Sequence, residues 1–388
     1  MSMMAPPLSL YVHIPWCVKK CPYCDFNSHA REGALPVDAY IDALLADLDS
    51  DLRRFGDAIA GREIVSVFFG GGTPSLFAPD EIARIIDGVA QRLTLRDAIE
   101  ITLETNPGTV EHGRFDEYRR AGVSRISFGV QSFDDEKLRR LGRIHSAAEA
   151  ERAIKSAQDA GYDNMNLDLM YALPEQTLDG ALSDVQRAIA LEPAHISHYQ
   201  LTLEPNTLFA AKPPPLPDID TAWDMQDMCQ QRLAAAGYVQ YEVSAYAREG
   251  RRCAHNLNYW AFGDYLGIGA GAHGKISDAA SGTVTRTTKV KLPRGYLERA
   301  VRADSFGSFD PVAPAQLPFE FMLNALRLNE GTSISEFEER TGVSRDALAG
   351  PLAGARERDW IEPDSRLLRP TESGRRFLND LIGLFLAE

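Results

Sequence analysis

Apolar, β-branched runs alternate with helical stretches along the first half of this chain, and that alternation limits the fold more than any other feature. The runs lie at residues 8–14, 64–69, 99–103, 125–129, 165–170 and 195–203, with helical stretches at 37–55, 79–93, 115–121, 147–160 and 178–191. In the first helical stretch Tyr40, Leu44, Leu48 and Leu52 recur every four residues, while Asp42, Asp49 and Arg53 turn to the other side. Strand–helix units joined by short connections predict an α/β fold with a parallel sheet. No GxGxxG follows the first strand, which favours a barrel or partial barrel over a doubly wound sheet. Six units fall short of a closed eight-fold barrel.

The run PPPLP at 213–217 breaks the pattern. A helix is predicted at 221–236 and a strand-like YVQYEVSAYA at 238–247, with HNLNYW and the glycine-rich YLGIGAGAHG beyond. The expected division is 1–212 as the barrel, 213–312 as an extension and 313–388 as a small C-terminal unit. In that last unit two helices, a brief hairpin near 367–369 and a final helix give an order that resembles a winged helix. A net charge of −14 argues against a general nucleic-acid binder, so packing or partner docking is the expected role of this unit. No apolar run reaches the ~18 residues needed to span a bilayer. The N-terminus lacks the pattern of a signal peptide, and the free cysteines imply a reducing compartment. The expected location is the cytoplasm, with peripheral membrane contact left open.

Cys17, Cys21 and Cys24, three of five cysteines, fall in C-x3-C-x2-C directly after the first strand, and Pro15 and Pro22 keep the segment from becoming a helix. Three clustered thiols cannot all pair as disulfides. They suit an iron–sulfur cluster with one iron left open, or a zinc site completed by His13 or His29.

In a parallel barrel, function collects at the carboxyl ends of the strands. The second strand ends in Gly70-Gly71-Gly72-Thr73-Pro74, whose backbone can approach a ligand closely and present bare amides. The third ends in Glu104-Thr105-Asn106-Pro107, the fourth in Gly129-Val130-Gln131-Ser132, and the fifth carries Asp168. Each alone has an ordinary structural explanation, such as a tight turn, a helix cap or a satisfied buried carboxylate. Their convergence on the mouth that holds the cysteines points to a ligand site.

C-x3-C-x2-C after a strand, with Tyr23 before the third cysteine, resembles the cluster loop of the radical S-adenosylmethionine superfamily. YVHIPWC with CPYCDF resembles one branch of it, the oxygen-independent coproporphyrinogen III oxidase-like proteins. The resemblance implies an open parallel (β/α)6 partial TIM barrel. It also implies a [4Fe–4S] cluster on Cys17, Cys21 and Cys24, and S-adenosylmethionine on the open iron. Gly71, Gly72 and Thr73 match the segment that binds the cofactor's amino group; Tyr11, Tyr23, Glu104, Gln131, Arg143 and Asp168 match further contacts. Phe26 stands where the oxidase carries a fourth cysteine, and only sixteen residues precede Cys17 where the oxidase has a longer extension. HNLNYW and CDFNSH instead resemble the haem chaperone branch. That resemblance implies haem as a ligand and haem-receiving proteins, respiratory ones among them, as partners. His255 is the candidate ligand to the iron, with Tyr259 and Trp260 offering flat apolar surface and His273 as a rival ligand. Coproporphyrinogen III oxidation by radical chemistry is the competing expectation. A zinc-stabilised adaptor is the third, and it requires the strand-tip residues to be idle.

Overall fold

The computed structural model describes residues 3–109, 114–302 and 305–387. One sheet of twelve strands runs through most of the chain: β1 Leu8–Ile14, β2 Ile64–Gly71, β3 Leu95–Thr105, β4 Arg125–Gln131, β5 Met165–Tyr171, β6 His195–Gln200, β7 Val239–Gln240, β8 Ala245–Ala247, β9 Asp264–Ile268, β10 His273–Asp278, β11 Thr283–Lys289 and β12 Gly307–Pro311. Their spatial order is β12-β11-β10-β9-β1-β2-β3-β4-β5-β6-β8-β7, so the sheet is open, with β12 and β7 at its ends. The six expected strands, β1 to β6, pair in sequence and in parallel.

Helices α1 Val37–Ile59, α2 Pro79–Ala90, α3 Phe115–Arg120, α4 Ala147–Asp159 and α5 Leu178–Ala190 cross back between these strands. Three of them begin on recognisable start signals: Pro79 occupies the first position of α2, Ser146 caps α4 by accepting from the Glu149 amide, and Thr177 caps α5. α1 buries Tyr40, Leu44 and Leu48 against the sheet, as its period predicts, and also buries Asp47 and Asp51. Those two carboxylates are met by the Lys289 ammonium of β11, at 2.6 and 2.7 Å.

The extension contributes to both margins of this sheet. β9 lies parallel to β1 on the side away from β2, making seven parallel strands in all, and β10 to β12 continue antiparallel from it. At the far margin, 238–247 is not one strand but a tight hairpin, β7 and β8. The Tyr241 amide donates to Ala245 O and Gln240 Nε2 donates to Val243 O, which turns the chain back on itself. In the C-terminal unit the expected hairpin is present, an antiparallel bridge between Ile361 and Pro370 with the Glu362 amide donating to Arg369 O at 2.9 Å, and its Leu367–Leu368 also pairs with the distant Thr332–Ser333. The expected last helix breaks at Phe377 into Glu372–Arg376 and Leu378–Gly383. This unit has its own core around Phe321, Phe337, Leu352 and Leu381. Among the described residues no helix is long and apolar enough to cross a membrane.

Candidate functional site

The carboxyl ends of β1 to β5 enclose a cavity of about 130 Å³. Cys17, Cys21 and Cys24 line it, together with Tyr23, Gly71, Gly72, Thr73, Glu104, Gln131, Arg143 and Asp168. Eleven of the sequence-predicted residues therefore meet in one place. All three cysteines are half-buried and free. Burial pushes the Cys17 and Cys24 thiols up, partly offset at Cys17 by hydrogen bonds from Thr73 and Ser28. Arg143, from the loop after β4, donates to Gly129 O at 2.5 Å and points a second nitrogen at Cys21 Sγ, 3.7 Å away.

The glycine loop differs from expectation in one respect: its amides are not bare. Gly72 N donates to Ile14 O at 2.7 Å, Thr73 N to Trp16 O at 2.8 Å, and Gly71 N to the Glu104 carboxylate at 3.2 Å. The close approach the glycines permit is to the cysteine strand itself. A Cβ at Gly71 would lie 2.4 Å from the His13 ring, and one at Gly72 would lie 2.5 Å from Trp16 O.

Two carboxyl groups face the cavity from β3 and β5, on either side of β4. Burial, reinforced by the negative charge of Asp168, pushes Glu104 up to about 8. Asp168 is also raised by burial, and it accepts from Asn166 Nδ2 at 2.8 Å. Gln131, at the tip of β4, holds φ +69°, a left-handed conformation that a non-glycine residue adopts at a cost. Its side-chain oxygen accepts from Tyr199 OH at 2.9 Å. Tyr199 was not among the predicted residues, although the alternation in HISHYQ places it on the same side of β6 as the site.

A second, larger cavity of about 760 Å³ opens beside the first, and Phe26, Gly71 and Glu104 line both. Tyr11 belongs to this one; its hydroxyl lies 2.9 Å from His13 Nδ1 and its ring 6.4 Å from that of His255. The HNLNYW hexapeptide forms a short helix, α7 Ala254–Trp260 if the helix Ile219–Ala235 is α6. The residues of the hexapeptide divide their work. Asn258 anchors the helix, donating to Ser9 Oγ and to Asp264 O at 2.9 Å each. His255, Asn256, Tyr259 and Trp260 line the cavity, with Phe68 and Tyr265 completing its aromatic wall. His255 is buried, and burial with the positive charge of Arg125 pushes it down to about 3, so its imidazole is neutral. Its Nδ1 lies 3.1 Å from Ser66 Oγ. His273, the rival ligand, lines the same cavity from β10.

His13 is not free to complete a zinc site. Both ring nitrogens of His13 are engaged, Nδ1 by Tyr11 OH and Nε2 by Asn27 O, each at 2.9 Å. Among the described residues no three His, Cys, Asp or Glu side chains close on a point fit for a single ion. A cubane binds each thiolate through a different iron, so it takes a wider triangle of sulfurs than one ion does.

Residues 11–187 match the family model of the Radical SAM superfamily, and residues 312–377 match the HemN C-terminal domain. The chain is 52% identical to the Heme chaperone HemW of Haemophilus influenzae and 51% identical to that of Escherichia coli, in each case over 99% of both chains. It is 32% identical to the Heme chaperone HemW of Bacillus subtilis, over 98% of this chain and 99% of that one. Among solved structures, coproporphyrinogen III oxidase (HemN) from Escherichia coli shares the fold. The TM-score is 0.83 at 24% identity, covering 98% of this chain and 90% of that one.

Proposed function

Because the chain belongs to the Heme chaperone HemW family of the radical SAM superfamily, we propose that it binds haem in the larger cavity and hands it to recipient proteins. In this reading it carries a [4Fe–4S] cluster on Cys17, Cys21 and Cys24 and S-adenosylmethionine beside it. All five cysteines are free, which supports a reducing, cytoplasmic location.

The residues suit the groups they would hold. Cys17 and Cys24, half-buried thiols whose ionisation burial opposes, gain when a metal takes the thiolate. Bound there, the cluster supplies a redox centre with one iron not held by the protein. Glu104 and Asp168 offer acceptors for an ammonium group, and Arg143 offers a cation for a carboxylate. Arg143 Nε is buried without a partner, a donor waiting for an acceptor. In the larger cavity the depressed pKa of His255 keeps a lone pair available for iron at any physiological pH, which an imidazolium lacks. Tyr259, Trp260, Phe68 and Tyr265 supply the apolar surface a macrocycle needs.

The observation that carries the reading is the placement of a buried, neutral imidazole in an aromatic cavity of about 760 Å³ beside the cysteine cavity. It is tested by titrating anaerobically purified protein with haem, and in parallel by assaying it with coproporphyrinogen III. The expected result is a saturable haem spectrum that shifts in His255→Ala, with no coproporphyrinogen turnover. A haem spectrum unchanged in His255→Ala but lost in His273→Ala would move the ligand to β10, and robust turnover would defeat the chaperone reading.

A further inference from the structure

The larger cavity is aromatic on the side of α7 but carries two ammonium groups elsewhere in its lining, Lys20 and Lys291. They come from distant parts of the chain, the cysteine loop and the strap after β11, yet one turn of backbone meets the ammonium of Lys20 and the main chain of Lys291. Lys20 Nζ donates to Phe26 O at 3.1 Å, and the next residue, Asn27, donates through Nδ2 to Lys291 O at 2.9 Å. Neither lysine forms an ion pair with a carboxylate among the described residues, although Asp25 and Glu104 line the same cavity. Both ammonium groups are exposed, unlike the buried Lys275, which pairs with Asp264, and Lys289, which pairs with Asp47 and Asp51. Two exposed cations without a carboxylate partner, both lining a cavity with an aromatic wall, suit a flat apolar ligand that carries two carboxylates.

We propose that Lys20 and Lys291 bind the two propionates of haem and so select a porphyrin with two carboxylates over one with four. The proposal rests on the larger cavity being the haem site and adds the contacts that orient haem within it. A four-carboxylate porphyrin would have to place its additional carboxylates against Tyr259, Trp260 and Phe68, or close to Asp25. Both placements leave a charge unpaired or repelled.

The test compares binding of haem, haem dimethyl ester and iron coproporphyrin III to cluster-loaded wild-type protein and to Lys20→Met, Lys291→Met and the double variant. The ester keeps the iron and the macrocycle but has no carboxylates. Wild-type protein binds haem more tightly than the ester or the four-carboxylate porphyrin. Each single substitution weakens haem about two- to fivefold, as for a partly screened ion pair, and the double variant binds haem and ester alike. Iron content is measured for every variant; if Lys20→Met lowers it, Lys291→Met, outside the cysteine loop, decides alone. Equal losses for haem and ester, or undiminished haem binding in Lys291→Met and the double variant, overturn the proposal. The underlying reading fails separately: it falls if wild-type protein binds neither haem nor ester, or if both bind without regard to His255.

Discussion

Asn27 and Gly271 are in mutual contact across the joint between the cysteine loop and the glycine-rich segment, and no side chain fits between them. A Cβ built on Gly271 would lie 2.2 Å from Asn27 Nδ2, and Gly271 itself holds φ +83°. Asn27 spends that Nδ2 group on Ala270 O and Lys291 O, at 2.8 and 2.9 Å, so it ties the metal loop to the wall of the larger cavity.

Gly271→Ala should therefore destabilise the fold by about 1–3 kcal/mol, from left-handed backbone strain and the displaced amide together. Denaturant melts read the loss. A melt indistinguishable from wild type would mean that the joint yields without cost.

Replacing Cys17, Cys21 or Cys24 by Ala should abolish an iron–sulfide content of about four each per chain after anaerobic reconstitution. Cys229→Ala and Cys253→Ala should retain it, since both thiols are buried in the core away from the cavity. Iron and sulfide assays decide. Stoichiometric zinc in place of iron would be the contrary outcome.

Glu104 gives a pH signature. Its pKa rises from 4.5 to about 8 in the fold, so between those values the folded chain holds a proton that the unfolded chain has released. The stability it contributes is fully present below pH 4.5 and is lost as pH rises toward 8. Glu104→Gln removes this dependence. In cluster-free protein the variant should gain on wild type by on the order of 1 kcal/mol per pH unit across that window, less where cavity water screens the carboxylate. Parallel stability profiles for the two proteins would contradict the assignment. The same variant should weaken the change that S-adenosylmethionine induces in the paramagnetic resonance of the reduced cluster, with iron content intact.

Lys289→Met should cost about 3–5 kcal/mol, because it strands two carboxylates that are 0% and 1% exposed. Even with Lys289 in place, burial holds Asp51 up at about 6. A triple variant that also replaces Asp47 and Asp51 with apolar residues should recover much of the loss, as thermal melts would show.

The barrel was legible because its signals are local. Periods of two and four residues declare strand and helix, and a parallel barrel gathers function at predictable strand ends, so Cys17, Gly71, Glu104, Gln131 and Asp168 could be named before their geometry was known. What escaped depends on distant pairing. Asp264–Ile268 lies in a glycine-rich stretch and becomes a strand only because β1 offers it a free edge. Asn27 was visible in CDFNSH, but its partners Ala270 and Lys291 lie more than 240 residues on. The fate of the glycine-loop amides was equally hidden, since their acceptors belong to another strand.

The position of β1 also bears on the order in which the protein can be completed during synthesis. β1 carries the cysteine loop and leaves the ribosome first, but one of its two hydrogen-bonding neighbours, β9, begins at Asp264. The last clasp on the loop, Lys291 O, is translated later still. Until then one flank of β1 is an open strand edge exposed to wrong pairing, and the three thiols sit on a half-built floor. Metal loading thus belongs after the ribosome has passed residue 291, and nascent chains halted before Asp264 should neither retain iron nor escape aggregation.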